Sequence, residues 1–238
     1  MEADEVAYDG DITIFSPQGR LYQVEYARET VKKGATTLGL KFKEGVILIT
    51  LKNISSQLIE LNALDKINQI NSYTICTFCG LSADARQLID FARDEVQIYN
   101  IWYDERISIK TLVENICEYM NVYSRFEIVR PFGVVLLIAG IDEKGPRLFA
   151  TDPSGSFLEY KAICEGKKNE NVTKYLEKYY KSEMNFDTAI NLGINAIKKS
   201  TNKKINSDNI EIAFVGKNKP FQKLSIKEIN KHIKKDKT

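Results

Sequence analysis

The apolar positions of this chain change period several times, and each change marks an element. From Arg20 to Lys33, Leu21, Val24, Ala27 and Val31 recur at helical spacing, while Gln23, Glu25, Arg28, Glu29, Lys32 and Lys33 fall mostly outside that stripe. Tyr22 and Tyr26 are four apart, so their rings share one flank of the predicted helix. Ser16-Pro17-Gln18-Gly19 just before it has type I turn chemistry, with proline second, where its φ is already set, and glycine fourth. Residues 35–42 and 46–51 then read as two β-branched apolar strands joined through Lys43-Glu44-Gly45, which is a hairpin.

Further strands are predicted at 67–70, 73–79, 132–142, 147–151 and 157–164, with turns at Asp142-Glu143-Lys144-Gly145-Pro146 and Asp152-Pro153-Ser154-Gly155. Helical spacing fills 82–100, 108–123, 169–181 and 187–200, the first of these capped by Ser82. Residues 210–215 read as a last strand before a terminal helix. Strands and helices come in runs rather than alternating, which argues against parallel βαβ units. The expected architecture is α+β, with two antiparallel sheets packed face to face and helices outside.

The length of 238 residues suffices for a substantial core, and no linker divides the chain, so residues 1–238 are expected to form one domain. Hydrophobic residues at 43% and charged residues at 28% describe a soluble protein, and no run approaches the roughly 18 apolar residues of a membrane span. The first eleven residues are acidic and carry no apolar block, so the cytoplasm is the expected compartment. The C-terminal stretch 225–238 carries Lys227, Lys231, Lys234, Lys235 and Lys237, a pattern that nucleic-acid-binding tails share. Ile226, Ile229 and Ile233 interleave with them, however, so one packed and one solvated helix face is the better reading and no nucleic-acid partner is expected. Cys76 and Cys79 form C-x-x-C within a predicted strand, where positions three apart face opposite ways and cannot hold one ion. With a single histidine, His232, in the chain, no metal site is expected, and the cysteines read as buried thiols.

The run Tyr8-Asp9-Gly10-Asp11-Ile12-Thr13-Ile14-Phe15-Ser16-Pro17-Gln18-Gly19-Arg20-Leu21-Tyr22-Gln23-Val24-Glu25-Tyr26-Ala27 resembles the signature of proteasome α subunits, archaeal in style. Matching blocks follow at Val31-Lys32-Lys33-Gly34-Ala35-Thr36-Thr37-Leu38-Gly39, Gly80-Leu81-Ser82-Ala83-Asp84-Ala85-Arg86, Arg130-Pro131-Phe132-Gly133 and Gly145-Pro146-Arg147-Leu148-Phe149. The resemblance implies the four-layer αββα sandwich of the N-terminal-nucleophile hydrolases, with 1–12 as a gate segment and 19–33 as the α-specific helix. In catalytic β subunits of that family a terminal threonine attacks the peptide bond, its α-amine (pKa near ~8) acting as base. Registered on that pattern, Ala35 stands at the nucleophile and Leu51 at the acid, so no catalytic residue and no cofactor are implied. The implied role is a non-catalytic member of a heptameric α ring on β rings. It would gate unfolded substrates and dock regulatory AAA ATPases, in ubiquitin-like or ATPase-dependent protein degradation.

Lys66 registers at the lysine that in α subunits receives the C-terminal carboxylate of an activator tail ending in hydrophobic-Tyr-any, in a pocket with Gly34, Gly80, Pro17, Gly19 and Leu21. A surface lysine paired with Asp65 is the alternative. Tyr8, Asp9, Pro17 and Tyr26 match the gate cluster, although Gly10 replaces the family's usual arginine, which removes a bidentate partner. Phe126 and Glu127 fall in the loop that narrows the pore, where Glu127 would add a ring of negative charge. A competing reading keeps the fold but gives the chain its own amidohydrolase activity through Thr36, Thr37 or a cysteine.

Overall fold

The computed structural model describes residues 13–126, 129–202, 204–217 and 219–235. The predicted first helix is α1 (Tyr22–Lys32), followed by the hairpin β1 (Thr37–Phe42) and β2 (Gly45–Leu51). A 3₁₀ turn at Leu61–Leu64 leads into β3 (Asn68–Asn71) and β4 (Thr74–Gly80), then α2 (Ser82–Tyr103) and α3 (Ile109–Tyr123). The meander β5 (Val134–Asp142), β6 (Gly145–Thr151) and β7 (Phe157–Glu159) precedes β8 (Ala162–Glu165). The chain closes with α4 (Asn169–Tyr179), α5 (Phe186–Lys198), β9 (Ile210–Gly216), β10 (Lys219–Lys223) and α6 (Ile226–Lys235).

Two five-stranded sheets result, ordered β10-β9-β2-β1-β8 and β3-β4-β5-β6-β7, with every pairing antiparallel. The period of two in each strand divides the core into layers. Along β2, Val46 and Leu48 point between the sheets against Ile75, Leu137 and Leu148, while Ile47 and Ile49 point outward to Leu192 and Ile197 of α5. On the other sheet, Cys76 and Phe78 face α2 and α3, while Ile75 and Cys79 face inward. The C-x-x-C thus splits across two layers as its spacing requires, and all four cysteines are free and buried. Central strands covered on both faces read as unbroken apolar runs, as 46–49 and 134–139 do.

Three expectations need correction. Residues 157–164 do not form one strand. β7 pairs with β6 in the second sheet, Phe149 opposite Glu159, whereas β8 pairs with β1 in the first, Leu38 opposite Cys164. The crossing falls at Tyr160–Lys161, tied by Tyr160 N to Leu148 O and by Lys41 N to Lys161 O, each 2.8 Å, and no glycine or proline marks it. Ser82 does not cap α2: Leu81 holds the cap position without a side-chain bond, and Asp84 in the first turn instead accepts from the Gly133 amide at 2.8 Å and from Arg130. Finally, β10 was not foreseen, because Lys219-Pro220-Phe221-Gln222-Lys223 is polar and contains proline, which only an edge strand tolerates.

Truncating Leu48, fully buried between the sheets, leaves a void that rigid strands cannot fill. Leu48→Ala is therefore expected to cost about 3 kcal/mol, read as a lowered urea midpoint with unchanged slope.

Candidate functional site

The turn ahead of α1 forms as its residues dictate. Gly19 N donates to Ser16 O at 2.8 Å, Gly19 takes φ +74, and the buried Ser16 accepts from Arg20 N through its hydroxyl at 3.1 Å. Pro17 and Gly19 stay exposed, and Leu21 is half-buried. Val24, Ala27 and Val31 bury the helix against the sandwich, and Arg28 clamps it there with paired 2.9 Å bonds to Asp152 in the β6–β7 turn. The rings of Tyr22 and Tyr26 stack at 6.4 Å, and Tyr26 is half exposed. Arg20 pairs with Glu25 and lies over the Tyr22 ring, adding charge beside the tyrosines.

Under the end of α1, Gly34 meets β4. A Cβ on Gly34 would come within 2.5 Å of Cys79 Sγ and 2.8 Å of Gly80 N. Gly80 has φ +118, and a Cβ there would lie 2.2 Å from Gly133 O. Both positions need glycine for backbone contact.

Beside Gly80 opens a cleft of about 540 Å³ walled by the 3₁₀ turn, the end of β4 and the first turns of α2, and Lys66 lines it. The lysine is half-buried, its ammonium 4.7 Å from the centre of the Phe78 ring. Burial pushes its pKa below the ordinary lysine value, against weaker support from Cys79 and Glu211. Pairing with Asp65 is not what the structure shows: Asp65 pairs with Lys52 and with Lys223. Among the described residues the Lys66 ammonium makes no ion pair. Gly80 shares this cleft and Gly34 abuts it, whereas Pro17, Gly19 and Leu21 lie in the turn before α1 and do not line it.

The place where a nucleophile would stand carries none. Ala35 has no reactive group, and Leu51 at the end of β2 cannot accept a proton. Thr36 and Thr37 are buried, with hydroxyls directed to Lys167 O at 3.0 Å and to Ala35 O, Phe78 O and Thr50 Oγ1. Burial pushes the Cys76, Cys79 and Cys117 thiols up to about 12, so thiolate is scarce at neutral pH. His232 lies in the helical layer, 3.0 Å from Asn191, away from all of these. No cluster of three or more metal-ligating side chains occurs among the described residues.

Phe126 follows α3 and is largely exposed. Tyr8, Asp9 and Glu127 lie outside the described residues. Two acids were missed from sequence. Glu165, at the end of β8, lines a second cleft beneath α1 with Arg28 and Asp152, and burial, then Asp152, raises its pKa to about 7. Glu211 lies 1% exposed within β9. Its signal was available: a lone carboxylate in phase with Ala213 and Val215 in an otherwise apolar run.

Two antiparallel sheets between helical layers, with alanine and leucine at the reactive positions, define a non-catalytic member of the N-terminal-nucleophile sandwich class. Residues 31–215 match the family described as "Proteasome subunit". Residues 8–29 match the N-terminal signature of the A-type proteasome subunits. The proteasome alpha subunit of Archaeoglobus fulgidus is 45% identical over 236 residues, covering 99% of this chain and 96% of that protein. The proteasome alpha subunit of Methanocaldococcus jannaschii is 46% identical over 230 residues, covering 96% and 88%, and that of Methanosarcina thermophila 44% over 232, covering 97% and 94%. The chain belongs to the family of proteasome subunits, in its α branch, the non-catalytic structural subunits of a threonine-protease complex. Membership implies ring assembly with α and β subunits. No helix among the described residues is long and apolar enough to cross a membrane.

Glu165 gives a pH dependence. Its carboxyl is ordinary, near 4.5, in the unfolded chain and about 7 in the fold. The unfolded chain therefore releases its proton first, and stability declines as pH rises from 4.5 towards 7 and stays lower beyond. Glu165→Gln is expected to raise the melting temperature at pH about 8 and to leave it unchanged near pH 4, by scanning calorimetry.

Proposed function

We propose that this chain gates a heptameric α ring and docks activator tails in the cytoplasm, controlling the admission of unfolded proteins to β-ring chambers for ATPase-dependent degradation. One observation carries the docking reading: a half-buried ammonium, unpaired among the described residues, faces a cleft while its acidic neighbour is taken by two other lysines. Such a group favours a carboxylate, and in a partly dry cleft a charge-assisted hydrogen bond contributes roughly 1.5–3 kcal/mol. A regulatory AAA ATPase whose tails end in hydrophobic-Tyr-any supplies a carboxylate with an aromatic group that can lie on the apolar wall.

Gating is supported by the α-type signature over residues 8–29 and by the anchored turn. Pro17 and Gly19 fix the point from which the preceding segment leaves, and Tyr26 presents its exposed ring beside it. Tyr8 and Asp9 carry the other half of the gate by their place in that signature. Phe126, exposed beyond α3, is assigned to the pore constriction together with Glu127. Pro17, Gly19 and Leu21 reach the docking pocket only from the turn of a neighbour in the ring.

In particles reconstituted with the β partner, Lys66→Ala is expected to leave rings intact by electron microscopy and to weaken stimulation by a tail peptide at least about tenfold. Unchanged stimulation would remove the docking role. Deletion of residues 1–12 is expected to accelerate hydrolysis of long peptides several-fold while leaving short fluorogenic peptides little changed, and equal rates for both proteins would refute the gate.

A further inference from the structure

A carboxylate buried in an apolar strand must find donors or counter-charges, and Glu211 finds both at the open end of the sandwich. Its Oε2 accepts from the Lys66 amide at 2.8 Å and lies 3.4 Å from the Ile67 amide. Its Oε1 lies 2.8 Å from Lys223 Nζ on the edge strand β10, an ion pair without hydrogen-bond alignment. Lys223 also pairs with Asp65, and Asp65 with Lys52 at the end of β2. The backbone on both sides of Lys66 is thereby tied to three strands of the first sheet, while the lysine side chain is left over the Phe78 ring.

We infer that Glu211 is the positioning residue of the docking cleft: it grips the backbone at Lys66 and Ile67 and so aims the ammonium at an incoming carboxylate. The inference rests on the reading of Lys66 as the acceptor of that carboxylate. A segment of irregular chain between a 3₁₀ turn and a short strand has little hydrogen bonding of its own, so the root of Lys66 depends on this side chain.

The charge has a second effect that separates positioning from mere packing. Burial works against the Lys66 ammonium, and Cys79 on β4 and then the Glu211 charge support it. Asp65 is held by its two lysines. From α2, Arg93 pairs with Asp90, and Arg86 lines the same cleft without a carboxylate partner among the described residues. Glu211 is thus a negative charge that both supports the ammonium and opposes a tail carboxylate. Glu211→Gln keeps an acceptor for the Lys66 amide but removes the charge. Lys66 then loses its proton at lower pH, while below that point the carboxylate meets less repulsion.

The test uses particles assembled from this chain and its β partner, with a synthetic peptide ending in hydrophobic-Tyr-any as the probe and Lys66→Ala as the reference. Glu211→Ala is expected to raise the half-stimulating peptide concentration about tenfold with an unchanged plateau. Glu211→Gln is expected to recover most of that loss near neutral pH and to move the alkaline fall of stimulation to lower pH. If Lys66→Ala responds like the unmodified particle, the docking reading itself fails. If Lys66→Ala is unresponsive but both Glu211 variants match the unmodified particle in half-stimulating concentration and alkaline limb, only the positioning role is overturned. Should Glu211→Ala not assemble, the alkaline limb of Glu211→Gln decides alone, and failure of both to assemble also overturns the assignment, because the carboxylate would then serve the fold.

Discussion

Burial of the central strands on both faces is the constraint from which the rest of this molecule follows. Between the sheets, Val46, Leu48, Ile75, Leu137 and Leu148 make a layer in which the buried polar side chains are mainly threonines such as Thr37, Thr50 and Thr77, and outside it the helices seal the opposite faces. Charge is therefore displaced to the strand ends. Lys52, Asp65, Lys66 and Glu211 all gather at one such end, where donors and counter-ions can still be found. A second group, Arg28, Asp152 and Glu165, gathers in the cleft beneath α1.

Ala35 and Leu51 lie near this end, the positions that the resemblance registers on the nucleophile and the acid of the catalytic members. Alanine cannot attack and leucine cannot orient a base, so the lysine that would have joined them is released from that task. What remains is a cation in a partly dry recess, supported by an aromatic face and by a buried acid.

Most of the architecture could be read from periodicity and turn chemistry. Turn Ser16–Gly19, the β1–β2 hairpin and the opposed cysteines all follow from local rules. What escaped was set by partners distant in sequence. The chain changes sheets at Tyr160–Lys161 because of pairings to Leu148 and Lys41, and nothing in the local residues signals a break. Helix α2 starts after Leu81, not at a serine cap, with Leu81 N bonded to the distant Gly133 O and Gly133 N to Asp84. Lys66 itself was found by resemblance, whereas its environment required the fold: Asp65 is adjacent in sequence yet bonded elsewhere, and Glu211 is 145 residues away yet bonded to its backbone.

The crossing of the chain between sheets has a mechanical corollary. Sheets joined only by side-chain contact can shear past one another at small cost per step, but here β7 and β8 are consecutive and bonded into different sheets. Sliding would have to peel one of these short strands from its neighbour before it could begin. The polypeptide acts as a rivet through the sandwich, locking the register of one sheet to that of the other.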